Sequence, residues 1–210
     1  MAKGILLVAF DYSRAHADEF HDWYDLEHIP ERERVAGFGA CRRWISVQNP
    51  KVAVATYELD SLDVLRSAPY QAIGGNNLSI WSKRMTSMCT RLLRFEGEQI
   101  FRSPQAVPAD AGGVLVNAMN VDPAHEAEFN EWYEHEHIPA LAAVPGTLSA
   151  RRFRDAGGSH RYLAVYHLAS ADLPASEVWK AAAFTPWTER LRPHFRDWLR
   201  IPARRYVRGQ

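Results

Sequence analysis

The residues best suited to chemistry occur twice, at the same spacing. Positions 19–30 read Glu-Phe-His-Asp-Trp-Tyr-Asp-Leu-Glu-His-Ile-Pro, and positions 128–139 read Glu-Phe-Asn-Glu-Trp-Tyr-Glu-His-Glu-His-Ile-Pro. On a helix, Phe20, Tyr24 and His28 share one stripe, with Trp23 and Glu27 on the next. Phe129, Tyr133 and His137 repeat the first stripe, and Trp132 and Glu136 the second. Each helix is thus expected to carry an aromatic side ending in an imidazole at its C-terminal turn. The helix end favours the imidazolium and burial among aromatics disfavours it. That competition predicts a histidine titrating near neutral pH, as an acid–base catalyst requires. His28 or His137 would carry the proton, and Tyr24 or Tyr133 would orient the imidazole or bond a substrate oxygen. The plainer reading makes the aromatics core and the histidines helix caps. Glu27 and Glu136 are then surface groups or partners of Arg42, Arg43, Arg151 or Arg152.

Other chemistries are less well supplied. His21, Asp25 and His28 share a helix face, but one straight helix rarely gives three facial metal ligands, and the twin of His21 is Asn130. His135 and His137, two apart, point away from each other. His28, His137, His167 or His194 could ligate a haem, but no motif singles one out. There is no Ser-His-Asp elbow, phosphate loop or dinucleotide fingerprint. The expectation is therefore no metal and no cofactor. Cys41 and Cys89 lack metal-type spacing and occupy non-equivalent positions, as expected of reduced thiols in the cytoplasm. The 25 Lys and Arg balance 25 Asp and Glu, which argues against a nucleic-acid partner. No stretch has the apolar length of a membrane span, and Ile5–Phe10 is too short for a secretory leader.

These residues must be held by regular elements. Gly4–Phe10 reads as a strand, about 14–29 as a helix stopped or kinked by Pro30, and Phe38–Val47 and Val52–Leu59 as two more strands. A second helix runs from about Leu62, breaks at Gly74-Gly75-Asn76-Asn77 and resumes from Trp81 to Met88, and Arg91–Phe95 closes the unit. The order βαββαβ is the ferredoxin-like motif. Residues 97–112 read as a linker, although Gln99–Arg102 can extend the last strand. From Gly113 the pattern restarts: a slide of 109 positions aligns 4–63 with 113–172, with roughly a third identical. Trp81-x-x-Arg84 meets Trp187-x-x-Arg190 once three residues near Gly74–Asn77 are dropped. The expected fold class is α+β, with ferredoxin-like repeats over 1–96 and 113–210. Each repeat has one bare sheet face, so the two should pack face to face inside one chain as an intrachain α/β barrel, with helices outside the antiparallel sheets.

The twin Glu-Phe-x-x-Trp-Tyr-x-x-Glu-His-Ile-Pro phrases, with the Gly37 and Gly146 turns, resemble the dimeric α/β-barrel superfamily, and within it the EthD-like members. The resemblance spans nearly the whole chain and implies pockets between helices and sheet. It does not name a reaction, since isomerases, cyclases, cofactor-free monooxygenases, decarboxylases and haem enzymes share the fold. The leading expectation is a cofactor-independent lyase or isomerase acting on a small apolar or aromatic oxygenated molecule. The alternatives are a cofactor-free monooxygenase and a non-catalytic small-molecule-binding protein. Trp23, Phe20, Tyr57, Asn76 and Asn77 are the expected substrate contacts. The first half is favoured because it alone carries the Gly74–Asn77 interruption. A homodimer is allowed.

Overall fold

The computed structural model describes residues 3–101, 107–155 and 157–209. Strand alternation sets its central layer. In β1 (Gly4–Asp11), Ile5, Leu7 and Ala9 join one apolar cluster while Leu6, Val8 and Phe10 join another. Successive strand side chains point to opposite faces, so one strand feeds the barrel interior and the layer beneath the helices together.

From β1 the chain enters α1 (Ala17–Trp23), a π-helical turn (Tyr24–His28) and α2 (Ile29–Glu33), then β2 (Phe38–Ser46) and β3 (Val52–Leu59). A 3₁₀ turn (Leu62–Arg66), α3 (Ala68–Gln71), a second 3₁₀ turn (Gly75–Asn77) and α4 (Ile80–Met88) lead into β4 (Thr90–Phe101). The second half runs β5 (Gly113–Val121), α5 (Glu126–Trp132), a π-helical turn (Tyr133–His137), α6 (Ile138–Ala142), β6 (Thr147–Asp155), β7 (Tyr162–Leu168), α7 (Glu177–Ala183), α8 (Pro186–Leu191) and β8 (Phe195–Arg205).

The strands form one closed antiparallel barrel in the order β1-β3-β2-β8-β5-β7-β6-β4. The intrachain barrel is as expected, but it is one continuous closed sheet rather than two sheets stacked face to face. The long strands β4 and β8 reach across to the other half. β4 pairs with β6 from Gly97↔Asp155 to Phe101↔Arg152, and β8 pairs with β2 from Trp44↔Arg205 to Ser46↔Ala203. Closure removes the unpaired edges that two separate sheets would leave. The interior is packed rather than hollow, with Trp44, Phe95, Phe153, Val116 and Val165 in one cluster. β4 reaches Phe101, inside the stretch read as linker, and residues 102–106 of that stretch lie outside the described residues.

The first helix also differs from the expectation. Pro30 does not end it; Tyr24–His28 widens into a π turn, with the Ile29 amide bonded to the Tyr24 carbonyl, and the helix continues to Glu33. Proline has no N–H for the normal i→i−4 bond and crowds the preceding turn, and a π turn accommodates both. Tyr133–His137 before Pro139 repeats the device. Leu62 opens a 3₁₀ turn rather than a long helix, because Ser67 caps a new helix with Pro69 in its first turn. No helix among the described residues is long and apolar enough to cross a membrane.

Candidate active site

Each long helix is pinned to its neighbour by hydroxyls. Trp23 Nε1 donates to Ser82 Oγ at 2.9 Å, and Ser82 and Ser79 both donate to Glu27 Oε1, at 3.0 and 2.5 Å. In the second half Trp132 Nε1 donates to Thr188 Oγ1 at 3.2 Å, and Thr185 Oγ1 donates to Glu136. Glu27 and Glu136 therefore hold hydroxyls of α4 and α8, not the arginines of β2 and β6. The sequence carries the signal, since Ser79-x-x-Ser82 and Thr185-x-x-Thr188 stand at equivalent distances before Arg84 and Arg190.

Two chambers lie between helices and barrel, one in each half. The first, about 650 Å³, is lined by His28, Tyr57, Tyr70 and Asn76, with four arginines and Glu96. The second, about 490 Å³, is lined by Trp132, Tyr133 and His137 together with Met119, Trp179, Phe184, Phe195 and Trp198. Strand register shows that they are counterparts. Leu6 and Val8 pair with Glu96 and Arg94, as Leu115 and Asn117 pair with Pro202 and Arg200. Both volumes suit a small organic ligand.

Among the expected site residues, His28, Tyr57 and Asn76 reach the first chamber, while Phe20, Trp23, Tyr24 and Asn77 do not line it. Phe20 stacks on Tyr12 at 4.1 Å and Asn77 donates to the Gln71 carbonyl. Tyr133 and His137 both line the second chamber. Gly74, Gly75 and Asn76 form a wall of the first chamber. The sequence reading missed the wall of the second, because Trp179, Phe184, Phe195 and Trp198 fall outside the repeated phrase.

Neither histidine titrates near neutrality, contrary to the sequence expectation. His28 is held well below the ordinary imidazole value by burial and by Arg32, Arg43 and Arg94. His137 is brought down to about 3 by burial and by Arg152. The physical reason is the π turn. The helix continues past both residues, so no helix C-terminus is there to favour the imidazolium, and desolvation wins. Trp and Tyr rings flank each imidazole, at 4.4 and 5.2 Å for His28 and at 4.2 and 5.2 Å for His137. Both Nδ1 atoms are enclosed without a partner. Each ring also lines its chamber, so Nε2 is the nitrogen available to a ligand. Asn117 Oδ1, in the wall of the second chamber, is likewise buried and unpartnered. Such groups cost about 1–3 kcal/mol each until something bonds them.

The paired arginines divide the labour differently in the two halves. Arg43 donates to Asp25 at 2.5 Å, contacts His21 Nδ1 at 2.6 Å and lies 4.5 Å over the Tyr24 ring, so His21 and Asp25 are engaged by a cation. Its counterpart Arg152 stacks over Tyr133, Tyr162 and Phe129 at 4.3, 4.5 and 5.0 Å. Arg152 Nε and Nη2 have no partner, since Asn130 replaces His21. A buried cation with no ion pair among the described residues therefore sits beneath Tyr133, and its field helps hold His137 neutral.

These histidines make stability pH-dependent. His137 and His167 are each near 3 in the folded chain, against 6.5 when unfolded, and His28 is shifted the same way. The folded state binds fewer protons, so stability is full above about pH 6.5 and falls as pH drops toward the folded values. Each such histidine costs about 1.4 kcal/mol per pH unit in that window. Thermal melts should fall between pH 7.5 and 5.5, and His167→Gln should shrink the drop. An unchanged melting temperature across that range would contradict the burial argument.

A haem needs an axial imidazole facing a cavity, normally oriented by a hydrogen bond from its other nitrogen. His28 and His137 face the chambers but have unpartnered Nδ1 atoms, while His167 lies enclosed beside Ser149 and His194 stacks on His125. The residues present do not fit that group.

No family model matches the sequence. No curated protein matches it either. Among solved structures, an anthrone oxidase-like protein aligns over 99% of this chain and 92% of its own, with TM-score 0.67 and 12% identity. A Lactobacillus acidophilus protein provisionally described as a monooxygenase aligns over 98% and 94%, with TM-score 0.60 and 10% identity. A chlorite dismutase variant from Candidatus Nitrospira defluvii aligns over 98% and 91%, with TM-score 0.62 and 11% identity. The chain has the dimeric α/β-barrel fold. The lyase or isomerase expectation is overturned: the similar structures bear oxidase, monooxygenase and dismutase names, and the near-neutral histidine on which it rested is absent.

Proposed function

We propose that the protein is a cofactor-independent oxygenase acting on a small, flat aromatic molecule in the second chamber. The observation that carries this is a neutral imidazole, His137, opening into an apolar, aromatic-walled cavity near the buried cation Arg152, which has no ion pair among the described residues. The names of the similar structures support the same reading. The substrate class is an aromatic ketone or phenol with an acidic ring-flanked CH₂ group.

His137 Nε2 takes a proton from that carbon. The carbanion, delocalised into the ring system, is stabilised by the fields of Arg152 and Arg200 in a water-poor site, where charges interact strongly. It passes one electron to O₂, and the resulting radical and superoxide combine to a carbon-bound peroxide. The imidazolium returns its proton to the peroxide, and loss of water leaves a carbonyl. The balance is CH₂ plus O₂ to C=O plus H₂O, with the substrate as sole reductant. A base of low pKa serves here because the carbanion beside the imidazolium raises the affinity of His137 for the proton. Asn117 Oδ1 is positioned to bond a ligand hydroxyl.

The chain is on this reading two ferredoxin-like units within the EthD-like branch, the first ending with β4 at Phe101 rather than at 96 and the second spanning 113–210. The repeated phrase and the parallel strand registers support it. A homodimer working on a small molecule in the cytoplasm completes the proposal, and two free cysteines agree with a reducing compartment.

The test is oxygen uptake with anthrone against an enzyme-free blank, with metal content and the visible spectrum of the same protein recorded. The expected result is one O₂ consumed per anthrone, with the quinone as product and no hydrogen peroxide. No acceleration would leave a binding protein, and activity that follows haem or metal content would overturn the cofactor-independent reading.

A further inference from the structure

We propose that the first-half chamber is a second, separate binding site, built for an organic anion: an apolar body carrying a carboxylate. The proposal goes beyond the oxygenase reading and does not depend on it.

The two chambers occupy equivalent places in the two halves. Their frames agree, with His28 opposite His137 and Arg94 opposite Arg200, yet they carry different cations: Arg32, Arg66, Arg91 and Arg94 in the first against Lys180, Arg192 and Arg200 in the second. Arg32 stands where the second half has Leu141, Arg66 where it has Ala175, and Arg91 where it has Asp197. All three arginines and Arg94 line the first chamber, whose one acidic lining residue is Glu96. A scaffold role does not call for four arginines in one cavity wall, because like charges gathered there repel.

Three of the four guanidinium groups have a carboxylate partner, the exposed Arg66 pairing with Asp63 at 2.9 Å. Arg32 is 4% exposed, donates to the carbonyls of His28 and Ile73 at 3.2 and 3.3 Å, and is balanced by Glu31 at 2.6 Å. Arg94 is fixed by Glu96 through Nε at 2.8 Å and by the Tyr70 hydroxyl at 3.2 Å. Arg91, at the open side, forms no ion pair among the described residues. Deep in the cavity, Tyr57 Oη is buried without a hydrogen-bond partner among the described residues. Leu6, Val8, Phe10, Leu62 and Leu65 complete the floor. Cations at the rim over an apolar floor match a molecule with a hydrophobic body and an anionic end. Arginine forks pair best with planar carboxylates, or with phosphates. The apolar floor selects the carboxylate on a ring or chain over a bare phosphate.

Titration calorimetry with 1-naphthoate, its neutral analogue 1-naphthol and inorganic phosphate tests this, using the full chain. The expected result is 1-naphthoate binding that weakens with added NaCl and falls about tenfold in Arg66→Gln/Arg91→Gln, two exposed positions. Arg91→Lys should keep most of the affinity lost in Arg91→Gln. Thermal melts confirm the fold. Should the double variant melt early, the salt dependence and the naphthoate-over-naphthol preference of the unaltered chain decide. Equal affinity for naphthoate and naphthol overturns the proposal, as does naphthoate binding that ignores both salt and Arg91, or phosphate competing at equal concentration. Because no step reads oxygen uptake, failure here leaves the oxygenase reading standing, and failure of that reading leaves this site intact.

Discussion

His137→Ala is expected to slow anthrone-dependent oxygen uptake by about 10²–10⁴-fold, the usual worth of a positioned general base. His137 is 7% exposed, and its low pKa leaves the imidazole unprotonated at neutral pH. No other described histidine lines that chamber to take its place. The neighbouring Tyr133 hydroxyl has only Met119 Sδ at 4.0 Å, and its phenol is pushed up to about 12 by burial, so it stays protonated and cannot act as the base. Tyr133→Phe should therefore cost far less than loss of the imidazole. Melts must accompany the rates, because a cavity under Trp132 also destabilises. A well-folded His137→Ala protein that keeps its rate removes His137 from the chemistry. If His28→Ala carries the loss instead, the reaction belongs to the cationic chamber.

What the sequence revealed and what it hid have separate physical causes. Strand β3 matches its expected span, Val52–Leu59, because Val, Thr and Tyr in alternation leave little choice of structure. The long apolar-patterned phrase around Trp23 and Trp132 was equally legible. Its imidazoles were not, since one extra residue per turn at Tyr24–His28 and Tyr133–His137 carries the helix past the position where it was expected to end. Helical periodicity does not announce a π turn; only the paired His-Ile-Pro sequences hint at it. The barrel itself was legible from the duplication, but the seams that join its halves were hidden, because pairing of β4 with β6 depends on long-range register rather than on local pattern. The divergence of the chambers was hidden for a related reason. Compared through the repeated phrase alone, the halves look equivalent. Arg91, Arg94 and Arg200 come from strands that close each half, beyond the stretch where the copies align without a gap.

The same closure supplies the largest expected stability effect. Inside the barrel, Glu58 of β3 accepts two hydrogen bonds from Arg151 of β6, both at 2.7 Å, joining residues 93 positions apart. Their side chains are 18% and 5% exposed, so water screens the pair little. His167 nearby is held near 3 by burial and by the fields of Arg151 and Arg42. Glu58→Ala leaves that guanidinium without a counterion beside a second arginine. Removing one partner of a buried pair typically costs about 3–5 kcal/mol, because the remaining charge stays desolvated. For a chain of this length that corresponds to a fall of roughly 6–20 °C in melting temperature. Glu58→Leu combined with Arg151→Met should recover most of the loss, since matched apolar replacements of buried pairs are often neutral or stabilising. The comparison separates the cost of an orphaned charge from the worth of the bond itself. A Glu58→Ala protein that melts within about 2 °C of the parent, where ~1 kcal/mol is worth 2–4 °C, would mean that water already reaches Arg151. The two halves would then be held together by the β4–β6 and β2–β8 ladders and the apolar interior alone.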